Sequence, residues 1–212
     1  MKKRVHLLCS NRDIPNRLLE KKKNEDWVGV DRGTLNLLQA KIQPVFAVGD
    51  FDSVSNQERR WIEARMDIEK MPKEKDVTDL AYAIQKAIQM GYKKIKIYGA
   101  TGGRLDHFMG AMQILKHRDF QNKKIQLIDK NNIIELLTVG AYTKRNKTQY
   151  DYISFIPATD EVTLSLEGFK YELSEKRLEQ GSTLTISNEF VDKYAQINIH
   201  EGMIYQIRSR DD

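Results

Sequence analysis

Short apolar runs that each stop at Gly, Asp or Ser constrain the fold of this chain more than any other feature. Val5 to Cys9, Trp27 to Val30, Val45 to Val48 and Ile95 to Tyr98 are such runs, and they read as buried parallel strands. Between them the apolar spacing becomes helical. In Asp79 to Met90, residues Leu80, Ala83, Ile84, Ala87 and Ile88 fall on one helical face, and Gly91 supplies a C-terminal stop. Asn56 to Arg65 and Leu105 to Lys116 give two further helices by the same criterion, and Ile125 to Ile128 another strand. Alternating strands and helices predict an α/β domain with a mostly parallel open sheet covered on both faces. In such a sheet the loops leaving the strand ends gather along one edge.

The texture changes from about Asn132. Ile133 to Leu137, Tyr152 to Ile156, Val162 to Leu166, Ser182 to Ser187 and Tyr194 to Ile199 are strand-like runs punctuated by Gly140, Gly168, Gly181 and Gly202. Ser174 to Glu179 is the single stretch there with a possible helical period. This predicts an all-β sandwich as a second domain. Asp129-Lys130-Asn131-Asn132 has turn chemistry, so the expected domains are residues 1–130 and 131–212.

A hydrophobic content of 40% over 212 residues is enough for a real core and excludes a disordered chain. The net charge is +5, but apart from Lys21-Lys22-Lys23 and the Lys144 to Lys147 region the basic residues are scattered, with no interleaved aromatics. Solvated turns explain those runs better than a nucleic-acid surface. The single cysteine, Cys9, cannot form an intramolecular disulfide, and no Cys/His group has zinc spacing. Val5 to Cys9 is too short for a signal-peptide core and no apolar run approaches a membrane span, so a cytoplasmic protein without a membrane partner is expected.

Four strand ends carry acids. Gly49-Asp50-Phe51-Asp52-Ser53 places two carboxylates two positions apart, where they could converge on a hard divalent ion such as Mg²⁺; alone, the same letters also suit an ordinary turn. In Lys75-Asp76-Val77-Thr78-Asp79, Asp76 or Thr78 can cap the helix that follows, with Asp79 in its first turn. Gly99-Ala100-Thr101-Gly102-Gly103-Arg104-Leu105-Asp106-His107 follows a strand and opens a helix, so backbone N–H groups can approach phosphate oxygens. It matches neither a Walker loop nor the dinucleotide pattern. His107 reads as a helix-packing residue or as a general acid/base. Asp31-Arg32-Gly33 is the fourth strand end. Gathered carboxylates repel one another unless a cation joins them, so a metal with a polyphosphate is the economical reading, with Arg32, Lys75 and Arg104 serving the phosphates. In the second domain, Gly181 to Phe190 reads as a hairpin strand ending in a polar turn.

Taken in order, these motifs resemble those of the bacterial thiamine pyrophosphokinase family. The likeness rests on Val30-Asp31-Arg32-Gly33, Ala47 to Ser53, Lys75 to Asp79, Gly99 to His107, Leu166 to Tyr171 and Ile186-Ser187-Asn188-Glu189-Phe190, which together span nearly the whole chain. The resemblance implies an N-terminal α/β domain that binds ATP and Mg²⁺, a C-terminal β-sandwich that binds thiamine, and a homodimer with the thiamine site between subunits. It implies transfer of a pyrophosphoryl group from ATP to the hydroxyl of thiamine. Asp31, Asp50, Asp52, Asp79 and Asp106 would form the acidic cluster, with Asp50, Asp52 and Asp79 on the metal and Asp52, Asp79, Asp106 and Arg104 at the chemistry. Asp31, Arg32, Lys75, Gly102, Gly103 and Arg104 would hold the nucleotide, and Ser187 with Asn188 would lie by the pyrimidine ring. Two departures stand out: Arg32 replaces a glycine common in the family, and both tryptophans, Trp27 and Trp61, fall in the first domain. A pyrophosphokinase for another alcohol, such as a hydroxymethylpterin, or a non-catalytic nucleotide-binding module are the alternatives.

Overall fold

The computed structural model describes residues 4–70 and 77–211, and the chain divides into two compact units, Met1–Lys130 and Asn131–Asp212. In the first unit the strands are β1 (Arg4–Leu8), β2 (Trp27–Val30), β3 (Phe46–Gly49), β4 (Glu69–Lys70), β5 (Lys94–Tyr98) and β6 (Lys124–Ile128). All pair in parallel, in the order β4-β3-β2-β1-β5-β6. The helices are α1 (Leu18–Lys21), α2 (Arg32–Gln39), α3 (Asn56–Glu63), α4 (Asp79–Gln89) and α5 (Leu105–Leu115).

Near-continuous burial of β1, β2 and β3 is what a sheet covered on both faces requires, and it explains why these strands read as unbroken apolar runs. Ile84 and Ala87 of α4, and Leu35 and Leu37 of α2, are fully or almost fully buried. β1 lies in the middle: the chain builds outward through β2, β3 and β4, then returns to pair β5 on β1's other side. That reversal opens a crevice beyond the C-terminal ends of β1 and β5. No helix among the described residues is long and apolar enough to cross a membrane.

The second unit contains β7 (Asn132–Leu137), β8 (Gly140–Arg145), β9 (Tyr152–Pro157), β10 (Glu161–Glu167), β11 (Leu173–Glu179), β12 (Tyr194–Glu201) and β13 (Ile204–Ser209). Antiparallel pairing gives β7-β13-β9 and β11-β10-β12-β8. Leu137, Ile153 and Phe155 from the first set pack with Leu164, Leu166 and Ile197 from the second, so the two face each other across one core as a sandwich. Two readings from periodicity change here. Ser174 to Glu179 is not helical but lies in strand β11, at a sheet edge where exposed charged residues are common. Ser182 to Ser187 is a run of turns, not a strand; it is held to β9 by the Phe155 N–H on the Thr185 carbonyl (3.0 Å) and by the Thr185 hydroxyl on the Phe155 carbonyl.

Candidate active site

Three acids meet at the crevice edge. Asp31 follows β2, Asp50 follows β3 and Asp79 opens α4, and one carboxylate oxygen from each lies within 4.8 Å of the others. Asp31 stands at φ 48°, ψ −123°, a conformation sparsely occupied by residues with a side chain. Its N–H donates to the Val48 carbonyl (2.8 Å) and its own carbonyl accepts from Thr34 N–H (3.0 Å), which over-determines the strain. The carboxylate then lies across Gly49: a Cβ there would come 2.0 Å from Asp31 Oδ1, so this position has no room for a side chain.

Phe51 decides what becomes of the Asp-Phe-Asp pair. It is 1% exposed, packs with Leu35, Ala47 and Ile62, and adopts φ 59°. Its N–H points toward Asp31 Oδ1 (3.5 Å), while Asp52 N–H donates to Asp50 Oδ1 (3.0 Å) in a local turn. Asp52 is exposed and lies outside the three-acid group, although its charge still reaches Asp31. Burial, then the neighbouring Asp79, and more weakly Asp50 and Asp52, push the Asp31 carboxyl up to about 7, against the opposing Phe51 N–H. Three hard oxygen donors whose mutual repulsion raises a pKa fit a divalent ion such as Mg²⁺.

Asp79 is placed by its cap. Thr78 is the N-cap residue, its hydroxyl accepting from Ala81 N–H (3.3 Å), which leaves Asp79 in the first turn at the positive end of α4. Lys75 and Asp76 lie outside the described residues. Arg32 donates to the Ser53 carbonyl (2.7 Å) and to Glu58 (3.3 Å). Its guanidinium thus ties the Asp50–Ser53 loop to α3, whose start carries a Ser55–Glu58 capping box.

The glycine loop lies on the other side of β1. Gly99 (φ 70°) and Gly102 (φ 72°) make its turns, the Gly99 carbonyl accepts from Ser10 Oγ (2.8 Å), and the buried Thr101 hydroxyl has no hydrogen-bond partner among the described residues. Arg104 grips Asp106 through two bonds (3.1 and 2.6 Å), both side chains exposed. That pairing holds the Asp106 carboxyl below the usual range and keeps it with Arg104, outside the Asp31–Asp50–Asp79 group. His107 is exposed, so it does not serve as a packing residue.

In the second unit, Ser187 adopts φ 56°, its N–H donates to Ser154 Oγ (3.0 Å) and its side chain is exposed. Asn188 is buried, and its amide is engaged on protein: Oδ1 accepts from Tyr171 N–H (3.0 Å) and Glu189 N–H (2.9 Å), and Nδ2 donates to the Tyr171 carbonyl (2.8 Å). Asn188 therefore braces the Tyr171 loop against the Ser187 loop, and its neighbour Ser187 is the one open to a ligand. Tyr171 itself is 57% exposed beside that brace, an aromatic surface that the motif Leu166 to Tyr171 contained without marking it as one. The polar loop Ser10-Asn11-Arg12-Asp13 after β1 is the other feature that sequence reasoning passed over; its signal was a strand end rich in side-chain donors and acceptors.

Comparison with known proteins meets this geometry. Residues 18–146 match the family model described as thiamin pyrophosphokinase, catalytic domain, and residues 142–204 match the thiamin pyrophosphokinase vitamin B1 binding domain. The chain belongs to the thiamin pyrophosphokinase family. A thiamine pyrophosphokinase of Bacillus subtilis is 44% identical over 187 residues, 87% of each chain. A thiamin pyrophosphokinase of Caenorhabditis elegans is 25% identical over 77% of this chain and 70% of its own. Among solved structures, the Bacillus subtilis thiamine pyrophosphokinase superposes with a TM-score of 0.90 at 40% identity, covering 99% of this chain and all of its own. The thiamin pyrophosphokinase of Geobacillus thermodenitrificans gives 0.87 at 35% identity, over 99% and 98%. Within that family setting, the acids of the first unit and the Ser187 loop of the second fall in separate matched domains.

Proposed function

We propose that this protein transfers the pyrophosphoryl group of ATP to the hydroxyl of thiamine, giving thiamine diphosphate and AMP. The observation that carries this reading is the convergence of Asp31, Asp50 and Asp79 on the same sheet edge as a glycine loop, in a chain that also contains the family's vitamin B1 binding domain. The second domain favours thiamine over a pterin alcohol.

In the proposed step the thiamine oxygen attacks the β-phosphorus of ATP in line. A bond forms from that oxygen to the β-phosphorus, the bond from the β-phosphorus to the α,β-bridging oxygen breaks, and AMP leaves with the bridging oxygen. Chemistry of this kind depends on positioning and on neutralising charge. Asp31, Asp50 and Asp79 are the residues that would hold Mg²⁺, and when bound the ion offsets charge on the phosphate oxygens. The Gly102–Gly103 turn leads into α5, where Gly103 presents backbone to the triphosphate and Arg104 adds its donor fork. The hydroxyl proton passes to a carboxylate outside the metal-binding group. Asp52 suits that role, because Asp106 is held by Arg104 below the ordinary range.

We further propose that the protein works as a cytoplasmic homodimer, with thiamine in a cleft to which one protomer brings the acidic edge and its partner brings Ser187. Exposed apolar side chains around that loop, Leu184, Ile186 and Val191, support a covered surface there. Incubation with ATP, Mg²⁺ and thiamine should release AMP and thiamine diphosphate in equal amounts. ADP with thiamine monophosphate, or no AMP at any thiamine concentration, would overturn the reaction.

A further inference from the structure

Nothing in the chemistry above uses the loop that leaves β1, yet that loop forms one wall of the glycine turn. We infer that Arg12 is a nucleotide phosphate-binding residue, a second cation set against the glycine loop opposite Arg104; this rests on the ATP-dependent reaction proposed above. The Arg12 guanidinium lies directly over Gly103: a Cβ on that glycine would come 1.7 Å from Nη1. Its backbone is held in place. Cys9 N–H donates to the Tyr98 carbonyl (2.9 Å), Arg12 N–H to Ser10 Oγ (3.2 Å), Ser10 Oγ to the Gly99 carbonyl (2.8 Å) and Lys130 N–H to the Asp13 carbonyl (2.6 Å).

The side chain, by contrast, is exposed and has neither an ion pair nor a hydrogen bond among the described residues. The other arginines near these strand ends are engaged: Arg32 with Ser53 and Glu58, Arg59 with Glu63, Arg104 with Asp106. Two independent observations on the same loop ask for an acceptor-rich ligand. The Thr101 hydroxyl is buried with no partner among the described residues, and Arg104, the N-cap residue of the eleven-residue α5, gives no side-chain cap, although Asp106 Oδ1 accepts from the His107 N–H (3.0 Å). A planar donor fork beside a helix start whose N-cap side chain does not cap it favours a phosphate over a neutral or cationic ring. Asp13 sets the limit of the subsite. Its carboxylate covers Gly102 as Arg12 covers Gly103, 1.5 Å from where a Cβ would stand, so the anion belongs on the Gly103 side.

The test uses the full chain with Mg²⁺, measuring equilibrium binding of ATP, AMP and adenosine in the absence of thiamine, and separately the KM for thiamine at saturating ATP, for wild type, R12A, R12K and D13N. R12A should bind ATP about 10- to 100-fold more weakly, with adenosine affinity and the KM for thiamine unchanged. R12K should recover part of the loss and D13N should bind ATP as tightly as wild type or more so. Because the Arg12 side chain holds nothing in the fold, the melting temperature of R12A should match wild type. Unchanged ATP affinity in R12A, an equal loss for adenosine, or an equal loss in D13N would each overturn the inference. The first would mean no contact, the second a contact to the base or sugar, and the third a role for loop shape instead of charge. Failure of the reaction is distinguishable: wild type that binds ATP but forms no AMP from thiamine would sink the function and leave the Arg12 subsite standing.

Discussion

Asp31 holds a backbone conformation that its neighbours must enforce, and its carboxyl titrates near 7. A carboxyl whose pKa is higher in the folded than in the unfolded chain binds the extra proton in the folded state. Folding stability in the absence of metal should therefore fall as pH rises from the unfolded value through about 7, then level off. D31N should flatten that slope, and melting curves of wild type and D31N between pH 4 and 8 in chelator would check it; parallel curves would refute it. D79N should cut turnover ~100-fold or more while melting at or above the wild-type temperature, and Mg²⁺, which should raise the melting temperature of wild type, should leave that of D79N unchanged. All three acids were legible in the sequence as strand-end or helix-start carboxylates. That they would gather was legible too, in a wider group with Asp52 and Asp106; the limits of the group were not, because two positions apart on a strand would put Asp50 and Asp52 on one face. Phe51, buried at φ 59°, breaks that alternation and leaves Asp52 outside.

Helix α4 is the element whose boundary matters most, since its first turn carries Asp79. Thr78→Ala should cost about 1 kcal/mol in urea unfolding through loss of the cap to Ala81 N–H; a Thr78→Ser variant should keep most of it. Elements with strong periodicity were readable: Asp79 to Met90 and Leu105 to Lys116 differ from α4 and α5 by one residue each at the C-terminal end. Elements defined by partners were not. α2 went unread because Asp31-Arg32-Gly33 looked like a loop, and its helical start depends on Asp31 leaving β2 in a strained turn. In β11, Ser174-Glu175-Lys176-Arg177 has the composition of a solvated helix, and only pairing with β10 makes it a strand. The brace made by Asn188 is of the same kind: its amide meets residue 171, and no local pattern announces that contact.

At the scale of the whole molecule, the proposed sharing of a thiamine cleft by two protomers makes a prediction that single-site defects cannot mimic. D79N disables the acidic edge, and Ser187→Arg sets a bulky cation where the pyrimidine ring of thiamine would lie in the other half. Each variant alone should be inactive, yet an equimolar mixture allowed to exchange subunits should regain about a quarter of wild-type activity; no recovery would place both halves of the site in one protomer. The strand order has a consequence for synthesis as well. β1 emerges early, but its pairing with β5, His6 opposite Lys96, waits for a strand made about 90 residues later. At about 5–20 residues per second, one edge of this largely buried strand stays open for on the order of 5 to 20 s on the ribosome. The crevice framed by those two strand ends, where the nucleotide is proposed to bind, can form only after that wait, so a nascent chain would have no use for ATP until its first domain is nearly complete.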